Sequence, residues 1–343
     1  MKQEENINEL EQILNKHHNQ SFTKNFNELP PAQPKANLKW QRNAETIAGR
    51  NGKGDELNQL SNPEGIYIDN KEQCIYVADR DNHRIVKWKL NGESDDGEIV
   101  AGGNGQGDQI DQLNDPTDVI LDEKERSLIV CDRGNRRVVR WPLENPNGNK
   151  EILIENILCY GLMMNANGDL FVTDHWRDAV KVWRKGEIGK GGEGIIVAGG
   201  NGLGIKLNQL NRPTYIFVDR EETIYVSDSG NNRVMKWYKG ANEGIIVAGG
   251  RGQGNSLRQL DHPYGLVVNE IGDVYVADCY NSRIVCWSVG SKEGRVIIGR
   301  NGREVGSSPF FHSYGLSFDV ENNLYVADHG NHRILRFRVD KNL

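Results

Sequence analysis

The sequence lacks the features that would place it in a membrane or give it a dense disulfide framework. No apolar run approaches the roughly 20 residues that span a bilayer, and residues 1–6 lack the apolar stretch of a secretory signal. The five cysteines are an odd number and include no C-x-x-C pair, so we expect reduced, mostly buried thiols. These absences predict a cytoplasmic protein without a membrane partner.

The familiar motifs of catalytic and nucleotide sites are also missing. No Gly-x-Ser-x-Gly, Cys/His or paired-carboxylate motif stands out. Glycine-rich segments at 102–107, 199–204 and 249–254 resemble phosphate-cradling loops, but no helix follows them, so they are interpreted as connectors. The net charge of −6 disfavours non-specific binding to nucleic acid or anionic membrane. We expect no cofactor.

What the sequence does contain is an internal repeat. Six times, an apolar strand ends in Asp and is followed by a short turn and a second strand that ends in an aromatic residue. The aspartates are 53, 42, 54, 50 and 50 residues apart, at Asp79, Asp132, Asp174, Asp228, Asp278 and Asp328. Spacings of this size are typical of propellers and other repeat arrays.

Each repeat is predicted to form four β-strands, which we letter a to d. In the first repeat they cover residues 63–69, 75–78, 84–88 and 98–101, where β-branched and aromatic residues alternate with Gly, Asn and Asp clusters. The single 42-residue spacing is explained by a short loop after strand d of the second repeat.

The last repeat has no strand d of its own, and the missing strand is found near the other end of the chain. Residues 44–48 match the strand-d pattern, so this segment is expected to complete the last blade and close the ring. The predicted fold is all-β: a six-bladed propeller of four-stranded antiparallel blades over residues 40–343. Residues 1–39 are predicted to form an amphipathic helix at Glu4–Lys16 and an extended linker, with disorder as the alternative.

Five of the six turns between strands b and c carry Asp-x-x-Asn-x-Arg, as in Asp79, Asn82 and Arg84. With the strings at 82–85 and 331–334, the sequence resembles the NHL repeat family over residues 44–337, most closely its stand-alone propellers. Blade 3 departs from the pattern, because Asp174-His175-Trp176-Arg177-Asp178-Ala179-Val180 has Arg at the position of the Asn and Ala at the position of the Arg. We interpret the triads as structural, since function rarely needs five equivalent copies. The aromatic column is interpreted in the same way, as core: Trp88, Trp141, Trp183, Trp237, Trp287 and Phe337.

The resemblance also implies enzymatic alternatives. Amidating lyases with this propeller hold zinc with three histidines at the position between the Pro and Gly that start strand a. Here no histidine occupies that position, although His262 and His312 lie two residues before Tyr264 and Tyr314. A lactonase-like site would need several converging acids, and only Glu64 is so placed, with Asp118 nearby. A metal-dependent lyase or lactonase is therefore the third hypothesis, and we predict no metal site.

In an antiparallel blade, the start of strand a, the b–c turn and the d–a connector share one face. Binding residues are expected there, in two groups. At the channel mouth they are Glu64, Thr117, Tyr160, Thr214, Tyr264 and Tyr314. On the b–c turns they are Arg133, His175, Trp176, Arg177, Tyr280 and His329.

The leading hypothesis is a monomeric, non-enzymatic scaffold that binds a protein or peptide on this face, because propeller loops gather on a rigid frame and Trp and Arg are preferred interface anchors. The alternative is single-stranded RNA recognition, in which Trp176 supplies stacking and charge comes from Arg133, Arg136 and Arg177.

Overall fold

The computed structural model describes residues 38–41, 43–92, 94–144, 148–299 and 311–340. Within these ranges, six four-stranded antiparallel sheets surround a central channel, and the helical content is limited to short 3₁₀ turns. The six-bladed propeller is confirmed. The helix and linker predicted for residues 1–39 fall outside the described residues, apart from 38 and 39. None of the described segments forms a helix long and apolar enough to cross a membrane.

In chain order, β1 (Glu45–Ala48) precedes the first three blades. Blade 1 contains β2 (Pro63–Asp69), β3 (Cys74–Asp79), β4 (Arg84–Lys89) and β5 (Glu98–Gly102). Blade 2 contains β6 (Pro116–Asp122), β7 (Ser127–Asp132), β8 (Arg137–Pro142) and β9 (Glu151–Glu155). Blade 3 contains β10 (Cys159–Met164), β11 (Leu170–Asp174), β12 (Ala179–Trp183) and β13 (Ile195–Gly199).

The other three blades repeat the same order from the channel outwards. Blade 4 contains β14 (Pro213–Val218), β15 (Ile224–Asp228), β16 (Arg233–Trp237) and β17 (Ile245–Gly249). Blade 5 contains β18 (Pro263–Val268), β19 (Val274–Asp278), β20 (Arg283–Trp287) and β21 (Arg295–Gly299). Blade 6 contains β22 (Ser313–Phe318), β23 (Leu324–Asp328) and β24 (Arg333–Phe337).

The ring closes as the sequence predicts, with the N-terminal strand as the outer strand of blade 6. β1 pairs antiparallel with β24, and Glu45 stands opposite Arg336 in that pairing. The Arg336 guanidinium donates to the Glu45 carboxylate at 2.6 Å. A bridge between Trp40 and Val339 extends the contact. Closure of this kind leaves no unpaired sheet edge between the first and last blades.

The blades pack through two sets of buried apolar residues. The aromatic column at the end of each strand c is buried, as expected for core. A leucine in four of the d–a connectors is completely buried as well, and each such burial contributes about 1.5–3 kcal/mol. These leucines are Leu60, Leu113, Leu210 and Leu260.

In blades 1, 2, 4 and 5, the Asp-x-x-Asn-x-Arg triad ties the b–c turn to the connector that arrives from the preceding blade. In blade 1, Arg84 Nε lies 2.7 Å from Asp79 Oδ2. The rest of the Arg84 guanidinium donates to the carbonyl oxygens of Asp55, Glu56 and Gln59. Asn82 donates to both Asp79 and the Gly54 carbonyl. The triads therefore hold the blade seams, as proposed from the sequence.

Blade 3 shows why one repeat can lose the triad. The connector before it is short, since β9 ends at Glu155 and β10 begins at Cys159. Arg177 replaces part of the missing contacts, because its Nη1 lies 2.9 Å from Asp174 Oδ2 and 2.8 Å from the Asn156 carbonyl oxygen. Arg177 is thus engaged within its own blade.

In blades 1 and 6, the residue after the triad Asn is a histidine that also serves a seam. His83 has a left-handed backbone, with φ 52°, and its Nδ1 accepts the backbone N–H of Asp115 in the next blade at 3.2 Å. His332 accepts the N–H of Asn62 in the same way, at 3.1 Å. The histidine within the motif is therefore used here as a hydrogen-bond acceptor between neighbouring blades.

The expectation of reduced thiols is wrong for two cysteines. Cys131 in β7 and Cys159 in β10 form a disulfide that joins blades 2 and 3. Cys74, Cys279 and Cys286 are free and buried. Sequence reasoning missed the pair because the two residues are 28 positions apart and only the propeller brings strand b of one blade against strand a of the next.

We predict that Arg84→Met destabilises the protein by about 3–5 kcal/mol, because the buried Asp79 carboxylate loses its cationic partner. Arg258→Met is the matched control, since Arg258 forms an exposed pair with Glu293 and should contribute under about 1 kcal/mol. Urea unfolding of the two variants measures the difference. Equal losses of stability would contradict a structural role for the triad.

Candidate functional site

Strand register places the candidate residues on one face, which we call the turn face. Pro63 at the start of β2 pairs with Asp79 at the end of β3, and Arg84 at the start of β4 pairs with Gly102 at the end of β5. The starts of the inner strands, the b–c turns and the connectors therefore all lie at the same end of each blade.

Glycine near the start of the inner strands allows neighbouring blades to approach closely at the channel. A Cβ on Gly161 would lie 2.9 Å from the carbonyl oxygen of Thr214. A Cβ on Gly315 would lie 2.5 Å from the carbonyl oxygen of Glu64. Such contacts exclude side chains at these positions.

Two blades break this glycine pattern, and both put a side chain into the channel. Asp118 in blade 2 and Tyr215 in blade 4 stand where the other blades have Gly. Tyr215 reaches across the channel, and its hydroxyl donates to the Thr117 carbonyl oxygen at 2.9 Å. The sequence signal was present as a departure from Pro-x-Gly, but sequence reasoning considered Asp118 only as an acid near Glu64 and did not consider Tyr215.

The mouth of the channel is filled by a row of five rings, which we call the mouth stack. Its members are His175, Tyr160, Tyr264, Tyr314 and His329. Successive ring centroids are 5.5, 5.6, 4.1 and 4.0 Å apart. The two longer spacings lie in the 4.5–7 Å range of favourable aromatic pairs, and the two shorter ones join rings stacked at interplanar angles of 15° and 16°. The predicted tyrosines therefore form a packed cluster together with two of the predicted histidines.

Glu64 lies beside this stack and is only 1% exposed. Arg80 from the blade 1 turn donates to Glu64 Oε1 at 3.2 Å, and the other carboxylate oxygen has no hydrogen-bond partner among the described residues. Burial raises the pKa of Glu64 to about 7, against the opposing charge of Arg80. Sequence reasoning missed Arg80, which occupies the same turn position as Arg133 and His175.

Arginine and histidine on the turns complete the mouth. The Arg133 guanidinium carbon lies 5.6 Å from the Tyr160 ring centroid, within the range of cation–π contacts. Nδ1 of His175 donates to the Pro213 carbonyl oxygen at 3.0 Å, and Nδ1 of His329 donates to that of Pro63 at 3.2 Å. Burial lowers the pKa of His329 to about 4, so its ring is neutral at pH 7.

The two predicted threonines do not contribute to the accessible rim. Thr117 and Thr214 are completely buried. Their hydroxyls donate to the carbonyl oxygens of Tyr160 and Pro263, in the neighbouring blades. This is the local hydrogen bonding that is expected when a hydroxyl is removed from water.

Two exposed aromatic areas flank the mouth. In blade 3, Trp176 is 63% exposed, and the Arg136 guanidinium carbon lies 5.0 Å from its ring centroid.

The second area lies across the ring, in blades 5 and 6, and we call it the aromatic ledge. It is a row of four rings: His262, Tyr280, His312 and Phe311. Its successive centroid distances are 4.4, 5.0 and 4.3 Å. Of these four, sequence reasoning selected only Tyr280 as a binding residue.

A metal centre is not formed by the acids and histidines of the mouth. The described residues include no group of three His, Cys, Asp or Glu side chains placed to hold a metal ion. His262 and His312, the pair considered for zinc, both pack against Tyr280.

Comparison with protein families agrees with the turn geometry. The NHL repeat model matches residues 60–88, 260–287 and 315–337, in blades 1, 5 and 6. This chain carries NHL repeats. No curated protein matches the chain.

Solved propellers resemble this one in fold. A nutrient binding protein from Bacteroides thetaiotaomicron is 16% identical, with TM-score 0.64, over 91% of this chain and 75% of that chain. A gluconolactonase from Xanthomonas campestris is 13% identical, with TM-score 0.58, over 91% and 98% of the two chains. A chain of a nidogen/laminin complex is 14% identical, with TM-score 0.55, over 76% and 92%. At these identities the likeness establishes the fold alone.

We predict that Glu64→Gln changes how stability depends on pH. The folded-state pKa of Glu64 is raised to about 7 from the ordinary 4.5. The contribution of its protonated carboxyl group to the stability of the fold is therefore complete below pH 4.5 and is lost as pH rises through about 7. Between pH 4 and pH 8, the free energy of unfolding of Glu64→Gln should therefore fall by about 3 kcal/mol less than that of wild type. Denaturant unfolding across this range tests it, with the half-exposed Glu151→Gln as control. Parallel profiles for wild type and Glu64→Gln would contradict the assignment.

Proposed function

We propose that this NHL propeller is a non-enzymatic scaffold whose turn face binds a protein partner through an extended peptide segment. The observation that carries the proposal is the aromatic ledge, where Tyr280 and Phe311 are 50% and 53% exposed although their rings are already ordered by stacking on His262 and His312. Rigid aromatic groups give large contact area at low entropic cost, which suits an interface.

The position of the second aromatic area supports an extended segment. Trp176 is in blade 3 and the ledge is formed by blades 5 and 6, so the channel mouth lies between them. A segment that contacts both areas therefore passes over Arg80 and Arg133. An acidic side chain in the middle of the segment would be the matching group, because both guanidinium groups lie at the mouth.

Charge favours a peptide over RNA on this face. Arg177 is bound to Asp174, which leaves fewer free cations than the sequence predicts. Acidic residues also lie on the same face, with Asp81 at 3.9 Å from Arg80 and Asp261 at 2.7 Å from His262. A polyanion would meet these carboxylates, whereas a peptide of mixed charge would not be repelled.

The relatives in fold include both binding proteins and an enzyme. A propeller chain of similar shape occurs in the nidogen/laminin complex, which agrees with protein binding, and the nutrient binding protein agrees with ligand binding. The cytoplasmic location and the monomeric state expected from the sequence stay predictions. The Cys131–Cys159 disulfide argues against the first, since such bonds are typical of oxidising compartments.

We predict that peptides selected by display against the full chain bind Trp176→Ala and Tyr280→Ala at least about tenfold more weakly than wild type, because truncation of a central anchor typically costs above 1 kcal/mol. Tyr238→Ala is the matched control, since Tyr238 is 53% exposed but follows strand c, at the opposite face. Calorimetric titration gives the affinities.

The same titrations separate the competing functions. Unchanged peptide affinity in both variants would remove the turn face from consideration. Salt-sensitive binding of single-stranded RNA that is lost in Trp176→Ala, with no peptide selected, would support the RNA alternative instead.

A further inference from the structure

The half of the channel beyond the mouth stack is a cavity of about 140 Å³. All six inner strands line it, and the lining is mostly apolar. Each blade contributes at least one buried aliphatic side chain: Ile66, Val119, Leu162, Ile216, Leu266 and Leu316. The mouth residues Glu64, Tyr160, Tyr264 and Tyr314 do not line it, because Tyr215 separates them from the cavity.

The cavity opens on the face opposite the turn face. Lining residues near the far ends of the inner strands are half-buried, as at Met163, Met164 and Ser317. Lining residues near the strand starts are buried, as at Asp118 and Tyr215. A ligand would therefore enter from the opposite face, with Asp118 at the closed end.

Asp118 is the one lining residue, among those described, whose side chain can carry a charge near neutral pH. Its two carboxylate oxygens accept the backbone N–H groups of Val119 at 3.0 Å and of Leu162 at 2.8 Å. These bonds fix the carboxyl group in place. No Lys, Arg or His of the described residues forms an ion pair with it, and the charge that acts on it is the like charge of Glu64.

We propose that this cavity binds a small apolar primary ammonium compound, with its hydrocarbon part in the channel and its –NH₃⁺ group donating to the Asp118 carboxylate. An apolar cavity of about 150 Å³ has the size to bind benzene, so a benzylammonium ion matches the room available. The ammonium group supplies the cationic partner that a buried carboxylate requires. This site is independent of the partner proposed for the turn face.

Proton uptake and release should reveal the ligand's contact with Asp118. The titratable groups that face Asp118 are Glu64 from β2 and Tyr215 from β14, while Cys131, opposite it in β7, is held in the disulfide. Burial raises the pKa of Asp118 to about 8. The empty site therefore holds a proton at pH 7, which the ammonium group must displace.

The test is calorimetric titration of the full chain with benzylamine and with benzyl alcohol, which has a similar shape without the charge. Affinity for the amine should rise by up to about tenfold per pH unit between pH 6 and pH 8, and about one proton should be released at pH 7. Buffers of different ionisation enthalpy measure that release. The alcohol should bind at least about tenfold more weakly at pH 8 and show no such pH dependence.

Variants locate the site. Asp118→Asn should lose the preference for the amine, whereas Asp111→Asn, on an exposed connector, should keep it. Ser317→Trp should weaken both ligands, because it narrows the opening of the cavity. Glu64→Gln should still bind the amine more tightly than the alcohol. That result would show that the pH dependence of amine binding comes from Asp118 and not from Glu64.

Equal affinity for amine and alcohol at pH 8, or no binding of either at millimolar concentration, would overturn the proposal. Amine binding that Ser317→Trp leaves unchanged would also overturn it. If Asp118→Asn fails to fold, the wild-type pH dependence and proton release decide the question by themselves. Failure of this site leaves peptide binding at the turn face untouched, since that binding depends on Trp176 and Tyr280.

Discussion

The buried aspartate at the end of each strand b is the constraint on which the ring depends. Its carboxylate is removed from water, so it has to be neutralised and hydrogen-bonded. In five blades an arginine five residues later does this, as Arg84 does for Asp79 at 2.7 Å. In blades 1, 2, 4 and 5 the same guanidinium also binds the connector from the preceding blade, so that one buried charge pair fixes a turn, a connector and a blade seam together.

The two ends of the channel differ because the repeat is broken at a few positions. In four blades, the glycine at the third position of strand a places no side chain in the channel. Asp118 and Tyr215 replace it, and Tyr215 divides the channel into a polar mouth and an apolar cavity. One end therefore carries arginines, histidines and packed tyrosines, and the other is an open apolar space with a single buried acid. A symmetric propeller would have neither.

Much of the fold follows from the sequence, since period, strand pattern and turn chemistry all indicate the same architecture. The 42-residue spacing predicts the short connector, and residues 44–48 predict the closing strand. The resemblance to NHL repeats, carried by the triads, points to the same fold. These features are local or periodic, so a single sequence contains them.

The candidate site was harder to predict because it depends on distances between blades. Thr117 and Thr214 were expected at the rim but are buried, since the next blade covers them. Arg177 was expected to bind a partner, but Ala179 stands where the triad has its Arg, and Arg177 pairs with Asp174 instead. Arg80 and the Cys131–Cys159 disulfide depend on which strands become neighbours. Departure from the repeat was the useful signal at Trp176, and the same signal was present but unused at Asp118 and Tyr215, where Pro-x-Gly is broken.

The triads are scaffold, and we propose that recognition occurs where the turn face departs from the repeat. Hydrogen exchange of the full chain, with and without a bound display-selected peptide, tests it most directly. We expect slowed exchange at residues 174–178 and 278–282, on the turn face. Exchange at 219–223 and 269–273, on the opposite face, should not change. Protection confined to the opposite face would contradict it.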